Sequence, residues 1–223
     1  MLMRSNTLQL FKPVKSFFEV VAQDARAFGR ERLSIFFCLM ALLGLTKFSA
    51  VLLYRVEAAL FNRGVPYSTL ARLAHRWNCL WNSCEFSPHA RIGPGLHVPH
   101  PVGVVVGAVS AGKNLTILQN ASIALQDRSL PDHDRRSFPC LGDSITIGPN
   151  ASVLGRIVIG DGVFIGPNAV VLTNVPPGCR AIGNPARILP GVLQTLEVGS
   201  KCPPANKFAS STHKRERLSR ERG

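Results

Sequence analysis

The sequence predicts a mainly β fold: a parallel β-helix of six-residue period, preceded by an α-helical region. Three observations carry this. Leu141, Ile147, Val153, Ile159, Ile165 and Val171 stand six residues apart, and glycine follows four of them, as Gly142, Gly148, Gly160 and Gly166. The same spacing separates Ile92 from Val98 and Ile117 from Ile123. The texture changes at Glu85, upstream of which no six-residue register runs. Six is neither the period of a helix, about 3.6, nor that of a plain strand, about 2. It is the repeat of a β-helix in which each unit supplies one short strand and a corner. Three units make one triangular coil, and each aliphatic residue stacks on its equivalents above and below. The glycine after it is expected to take a corner conformation that a Cβ resists.

The elements follow in order. Residues 1–84 form a basic helical region, with helices from about residue 14 to 82. The apolar run Leu33 to Leu45 is about 13 residues long. That is short of the roughly 20 that span a bilayer. Extension to Tyr54 adds length but takes in Lys47, so a buried or membrane-surface helix is expected. Residues 47–63 carry Val51, Leu52, Tyr54, Val56, Ala59 and Leu60, consistent with one apolar helical face. Gly64 and Pro66 then end this helix. Residues 68–82 read as a further helix capped by Ser68 or Thr69. The β-helix occupies 85–195. It is interrupted by a polar, charged loop at 126–139 that a corner must extrude. Its register is also one residue short between Val106 and Ile117, which predicts an irregular corner around Gly112. Residues 196–223 are expected to be a disordered basic tail.

The chain of 223 residues has a formal charge of +13, distributed unevenly. Residues 1–84 carry 11 Lys/Arg against 4 Asp/Glu, residues 85–200 carry 8 against 7, and residues 201–223 carry 7 against 2. The folded centre is near neutral, which argues against a nucleic-acid surface, and no RNP, zinc-finger or helix-turn-helix pattern occurs. Basic flanks suit peripheral contact with an anionic membrane, or simple solubility. The six cysteines are scattered without a CxxC pair, so reduced thiols and a cytoplasmic location are expected.

Within this frame "HVPHPVGVVVG" (97–107) sets His100 among prolines at the entrance to a valine-rich strand. The residues alone leave it as a base, a metal ligand or a loop histidine. Four stretches narrow the choice: "SPHARIGPGLHVPHPVGVVVG" (87–107), "KNLTILQNASI" (113–123), "SITIGPNASVLGRIVIGDGVFIGPNAVV" (144–171) and "VPPGCRAIGNPARIL" (175–189). Together they resemble the hexapeptide-repeat O-acetyltransferases, within them the serine acetyltransferase-like branch, which includes exopolysaccharide and capsule enzymes. The resemblance implies a left-handed β-helix assembled as a homotrimer, with acetyl-CoA as co-substrate in a cleft between subunits. It implies His100 as general base and Glu85, fifteen residues earlier, as the acid that orients it; serine enzymes have aspartate there. It implies a cofactor-binding set of Pro149, Gly166, Pro167, Gly183, Asn184, Pro185, Ala186 and Arg187.

The chain departs from that branch where the acceptor is held. Pro99 replaces an aspartate before the base, and Ser137-Phe138-Pro139 replaces an "RHP". A sugar of a surface polysaccharide is therefore the expected acceptor. Serine, as in cysteine biosynthesis, is the alternative, and a non-catalytic β-helix scaffold is the alternative from another class. A metal enzyme such as a γ-class carbonic anhydrase would recruit His89, His97 and His100. These do not share a phase in the hexapeptide register, so no metal is expected, and His89 and His97 read as surface or cleft-rim residues.

Overall fold

The computed structural model describes residues 16–61, 63, 66–126 and 137–191. Four helices come first: α1 (Phe17–Ala27), α2 (Ile35–Leu42), α3 (Ser49–Phe61) and α4 (Tyr67–Asn82). Short strands wound in a left-handed parallel β-helix follow. One face stacks β1 (Glu85–Phe86), β3 (Val105–Val106), β6 (Ser122–Ala124), β9 (Ser152–Leu154) and β12 (Val170–Val171). The second stacks β2 (Arg91–Ile92), β4 (Ser110–Ala111), β7 (Cys140–Leu141) and β10 (Val158–Ile159). The third stacks β5 (Thr116–Ile117), β8 (Thr146–Ile147), β11 (Phe164–Ile165), β13 (Arg180–Ile182) and β14 (Arg187–Leu189). All pairs are parallel except β13 with β14, which turns the chain back and closes the last coil. The tail and residues 127–136 of the expected loop lie outside the described residues.

The six-residue register holds: all six residues from Leu141 to Val171 are buried, as are Ile92, Val98, Ile117 and Ile123. A second inward set lies two residues earlier, at Leu115, Ala121, Ile145, Ala151, Ile157, Val163 and Ala169. Its small members fit a narrow prism where a second large side chain does not. Burying one Ile or Val is worth about 1.5–3 kcal/mol, and the parallel stack repeats that gain at every coil.

Several local expectations are corrected. Gly142, Gly148 and Gly160 are needed for space, not conformation. A Cβ on Gly148 would stand 2.8 Å from backbone atoms of Gly166 and Pro167, and one on Gly160 2.4 Å from Pro177. The left-handed corner positions are taken instead by Asn114, Asn120, Ser144, Asn150 and Asn168, short polar residues that tolerate that region. The irregular corner lies at Gly107–Val109, one corner before Gly112. There the inward Val106 and Ala111 stand five residues apart where the regular coils have six. Helix α4 begins at Tyr67 after Pro66, with no side-chain cap, so Ser68 and Thr69 lie inside its first turn. Helix α3 does not present one apolar face; every residue from Ser49 to Arg55 is buried. The apolar run breaks after α2, and among the described residues no helix is long and apolar enough to cross a membrane.

One buried ion pair fastens the helices to the first coil. Arg55 Nε of α3 meets Asp24 Oδ2 of α1 at 2.7 Å, and Arg55 Nη2 meets Asp24 Oδ1 at 3.2 Å. The Gly95 and Leu96 N–H groups also donate to Asp24 Oδ1, each at 2.8 Å. The other guanidinium donors reach the carbonyls of Ile92 and Gly93. Removing one partner of such a pair leaves a buried, uncompensated charge. Arg55→Met should therefore lower unfolding free energy by about 3–5 kcal/mol in a urea titration. A loss under about 1 kcal/mol, the range of an exposed pair, would mean that Arg55 does not compensate Asp24.

Candidate active site

His100 sits in the connection that leaves the first coil at His97 and returns at β3. Two contacts hold this connection. The Gly103 N–H donates to the Ser83 carbonyl at 2.7 Å, and the Asn120 N–H donates to the Val102 carbonyl at 2.9 Å. The turn closes with the Val104 N–H on the Pro101 carbonyl. Gly103 has φ +72°, and a Cβ there would stand 2.1 Å from Asn120 Oδ1, so glycine is needed on both counts. The loop is thus pinned from the α4–β1 junction on one side and from the next coil on the other, with the His100 ring exposed.

The corner that carries His100 recurs down the prism, between the third and first faces. Gln119–Asn120, Pro149–Asn150, Pro167–Asn168 and Gly183–Ala186 occupy it in successive coils. The Asn150 N–H donates to Gln119 and the Asn168 N–H to Pro149, while the Val170 N–H donates to Gly183 and the Ala186 N–H to Val170. All of the expected acetyl-CoA residues therefore gather along one edge with the expected base: Pro149, Gly166, Pro167, Gly183, Asn184, Pro185, Ala186 and, starting β14, Arg187. Four coil steps of about 4.8 Å put roughly 19 Å between the His100 level and the Gly183 level. Gly166 is buried, and a Cβ there would press on Ile182 at 3.2 Å. Pro167, Gly183, Asn184, Pro185 and Arg187 are exposed along the rim. The Asn184–Pro185 peptide is cis.

Glu85 and His100 are not joined in this single chain. Their backbones are close, because Glu85 pairs with Val105 and Ser83 accepts from Gly103. Yet among the described residues the ion pairs are Asp24–Arg55 and Glu57–His75. Two electrostatic groups result. The charge of His100 adds to burial in holding His97 below the usual imidazole range. The charge of Glu85 is felt instead by Glu57 and Cys79.

Sequence reasoning missed that second group. His75 Nδ1 lies 3.1 Å from Glu57 Oε1, and His75 Nε2 lies 3.7 Å from Cys79 Sγ. His75 and Cys79 are four apart on α4, a readable signal. Nothing in the sequence ties them to Glu57 on α3. Burial pushes Glu57 up to about 7, against the opposing charge of His75. Burial, then the negative charges of Glu85 and Glu57, push Cys79 up as well, and burial takes Cys84 up to about 12. These thiols stay protonated at neutral pH, so the arrangement does not make a thiolate nucleophile. His89 and His97 are also not simple rim residues. His97 stacks edge-on against Phe28 with centroids 4.7 Å apart, and His89 does so against Phe61 at 5.0 Å. Among the described residues no group of three or more His, Cys, Asp or Glu is placed to hold a metal ion.

A β-helix of hexapeptide period with an exposed histidine at the head of a small-residue edge defines a hexapeptide-repeat transferase. Residues 141–173 match the bacterial transferase hexapeptide family (six repeats). The serine acetyltransferase of Helicobacter pylori is 34% identical over 141 residues, covering 63% of this chain and 79% of that protein. Soybean serine acetyltransferase complexed with serine superposes with a TM-score of 0.65 at 34% identity, covering 78% of this chain and 70% of that one. The chain belongs to the serine acetyltransferase family. Some relatives are much longer: the match to mitochondrial serine acetyltransferase 3 of Arabidopsis thaliana, 39% identical over 108 residues, covers 48% of this chain and only 27% of that protein. These relatives give no support to a polysaccharide sugar as acceptor, and the serine alternative fits them better. Phe138 is the middle residue of the Ser137-Phe138-Pro139 segment that departs from the "RHP" of the resemblance. It is buried over Gly107, where a Cβ would come within 2.1 Å of its ring.

The raised Glu57 has a stability consequence. The folded state holds this proton up to about pH 7, whereas the ordinary value is 4.5. Its contribution is therefore fully present below about 4.5 and is lost as pH rises through about 7. In thermal melts, Glu57→Gln should lose less stability than the parent between these limits; parallel pH slopes would refute the assignment.

Proposed function

We propose that the chain is an acetyl-CoA-dependent O-acetyltransferase whose acceptor is the hydroxyl of serine. The observation that carries this is the shared edge: one exposed histidine at its head, and below it a track of glycine, alanine and proline that a long, partly apolar thioester can approach closely. Soybean serine acetyltransferase, named above as complexed with serine, supports the choice of acceptor.

A serine hydroxyl ionises far above neutral pH and is a weak nucleophile toward a thioester. The His100 imidazole takes its proton as the oxygen attacks the acetyl carbon, a contribution of about 10²–10⁴ in rate. Electrons move onto the thioester oxygen, which backbone N–H groups at the corner stabilise. Collapse of this intermediate expels the CoA sulfur, and the imidazolium returns the proton to it. The products are O-acetylserine and free CoA, with no covalent enzyme intermediate. Glu85 holds His100 in the productive tautomer once the neighbouring subunit closes the cleft. Arg187 at the far end of the edge meets a phosphate of CoA. A homotrimer suits this reading, since His100 and Glu85 are exposed in one chain, as are Val102 and Val158 on the prism.

His100→Ala should lower the rate of CoA release with serine by about 10²–10⁴ while mass on a sizing column stays unchanged. Full activity in that variant would overturn the base assignment. Release of CoA with sugar hydroxyls but not with serine would overturn the acceptor. Glu85→Gln should lower kcat and alter its pH profile more than it alters KM for acetyl-CoA. An unchanged profile would remove Glu85 from the mechanism.

A further inference from the structure

Helix α4 is built inside out. Its buried residues are Ala71, Asn78 and Asn82. The two asparagines serve α3: Asn78 Nδ2 donates to the Ala50 carbonyl, and Asn82 Nδ2 donates to Ser49 Oγ and to Asn78 Oδ1. The opposite face carries Leu70, Leu73, Trp77, Leu80 and Trp81, all exposed, Leu80 by 74%. Helix α2 behaves alike. Only Ala41 is buried in it, while Ile35 is 83% and Phe36 72% exposed, with Leu39 and Leu42 beside them. The two faces are continuous, because Trp81 Nε1 donates to the Gly44 carbonyl at 2.9 Å just past the end of α2. Trp77 and Trp81 stack at 5.5 Å within this face.

We propose that the joined outer faces of α2 and α4 dock on the surface of a membrane containing anionic lipid. An apolar face this large needs a cover, and its fringe says which. Arg30 and Arg32 precede α2, Lys47 follows it, and Arg72 and Arg76 run along α4; all five are exposed. Against them Glu31 is the one exposed acid between residues 30 and 83 among the described residues. A second copy docking through this same face would set one basic fringe against another, with Glu31 the one exposed acid between residues 30 and 83 to answer it. Lipid phosphates answer it directly. Aliphatic side chains with tryptophans and flanking arginines are also the composition of a helix that lies in the interface plane. Tyr67 and Trp77 suit the headgroup level, with an apolar ring and one polar atom each.

The test uses the full chain and vesicles of two compositions: phosphatidylcholine alone, and phosphatidylcholine with phosphatidylglycerol in equal parts. The protein should sediment with the second and not the first, and release as salt rises. Arg72→Glu with Arg76→Glu should weaken this partition at least tenfold, about the effect of two or more charges near an anionic surface. Ile35→Ser with Phe36→Ser should weaken it without changing lipid-free mass. The proposal fails if the parent binds neither vesicle, or if both double variants bind as the parent does. It also fails if the variants instead split a larger lipid-free assembly, which would make the face a contact between copies. Vesicle binding is read without acetyl transfer, so failure here leaves the proposed reaction untouched, and loss of activity in His100→Ala leaves this proposal untouched.

Discussion

Asp24 has no exposure, and both of its oxygens are answered. One takes the Arg55 Nε proton; the other takes a second guanidinium proton and two backbone N–H groups. A charge this deep is tolerable only when such partners replace water. Much of the molecule depends on the arrangement because of where it sits. The first coil of a β-helix has no coil before it to accept its hydrogen bonds. At the Ile92–Leu96 corner, Arg55 takes two of the stranded carbonyls and Asp24 takes two of the stranded N–H groups. The helical region is therefore the cap of the prism, and the ion pair is the joint.

The joint also lies beside the proposed site. Leu96 is followed at once by His97, whose ring rests on Phe28 at the end of α1. Three residues later comes His100. The helix that supplies Asp24 thus also supplies the wall against His97. The loop between them is fixed at its far end by Ser83 and Asn120. The base proposed at His100, exposed on a long connection, is held by three separate elements, each fixed by backbone hydrogen bonds or burial. That satisfies the general requirement that a reacting group be oriented before its substrate arrives.

How much of this was legible follows from which interactions are periodic. The β-helix core was readable because each coil meets the same neighbours, so the same residue type recurs every six positions. The set Pro149, Gly166, Pro167 and Gly183 to Arg187 came from the family resemblance, and the register accounts for its lying along one edge, since residues in equal phase stack. The Asp24–Arg55 joint was not readable. It links residues 31 apart to each other and to residues about 70 further on, and no repeat announces it. The Glu57–His75–Cys79 cluster was hidden for the same reason. The corner glycines were found for the wrong cause: their necessity comes from the neighbouring coil's backbone, which a single unit of the repeat does not display.

Helix α4 marks a different limit. Its apolar positions at Leu70, Leu73, Trp77 and Trp81 recur with helical spacing, and an apolar stripe ordinarily faces the core. Here α3 is already buried over its first half, and the carbonyl of Ala50 and the hydroxyl of Ser49 lie where the buried amides of Asn78 and Asn82 can donate to them. The two asparagines stand at the same one-turn spacing on the opposite side. A buried polar group left unanswered costs about 1–3 kcal/mol, comparable with the gain from burying one leucine. Once inside, Asn78 and Asn82 are held only because Ala50 and Ser49 answer them. Periodicity fixes that a helix has two faces; which of them turns inward is decided by the partners its neighbours offer to each.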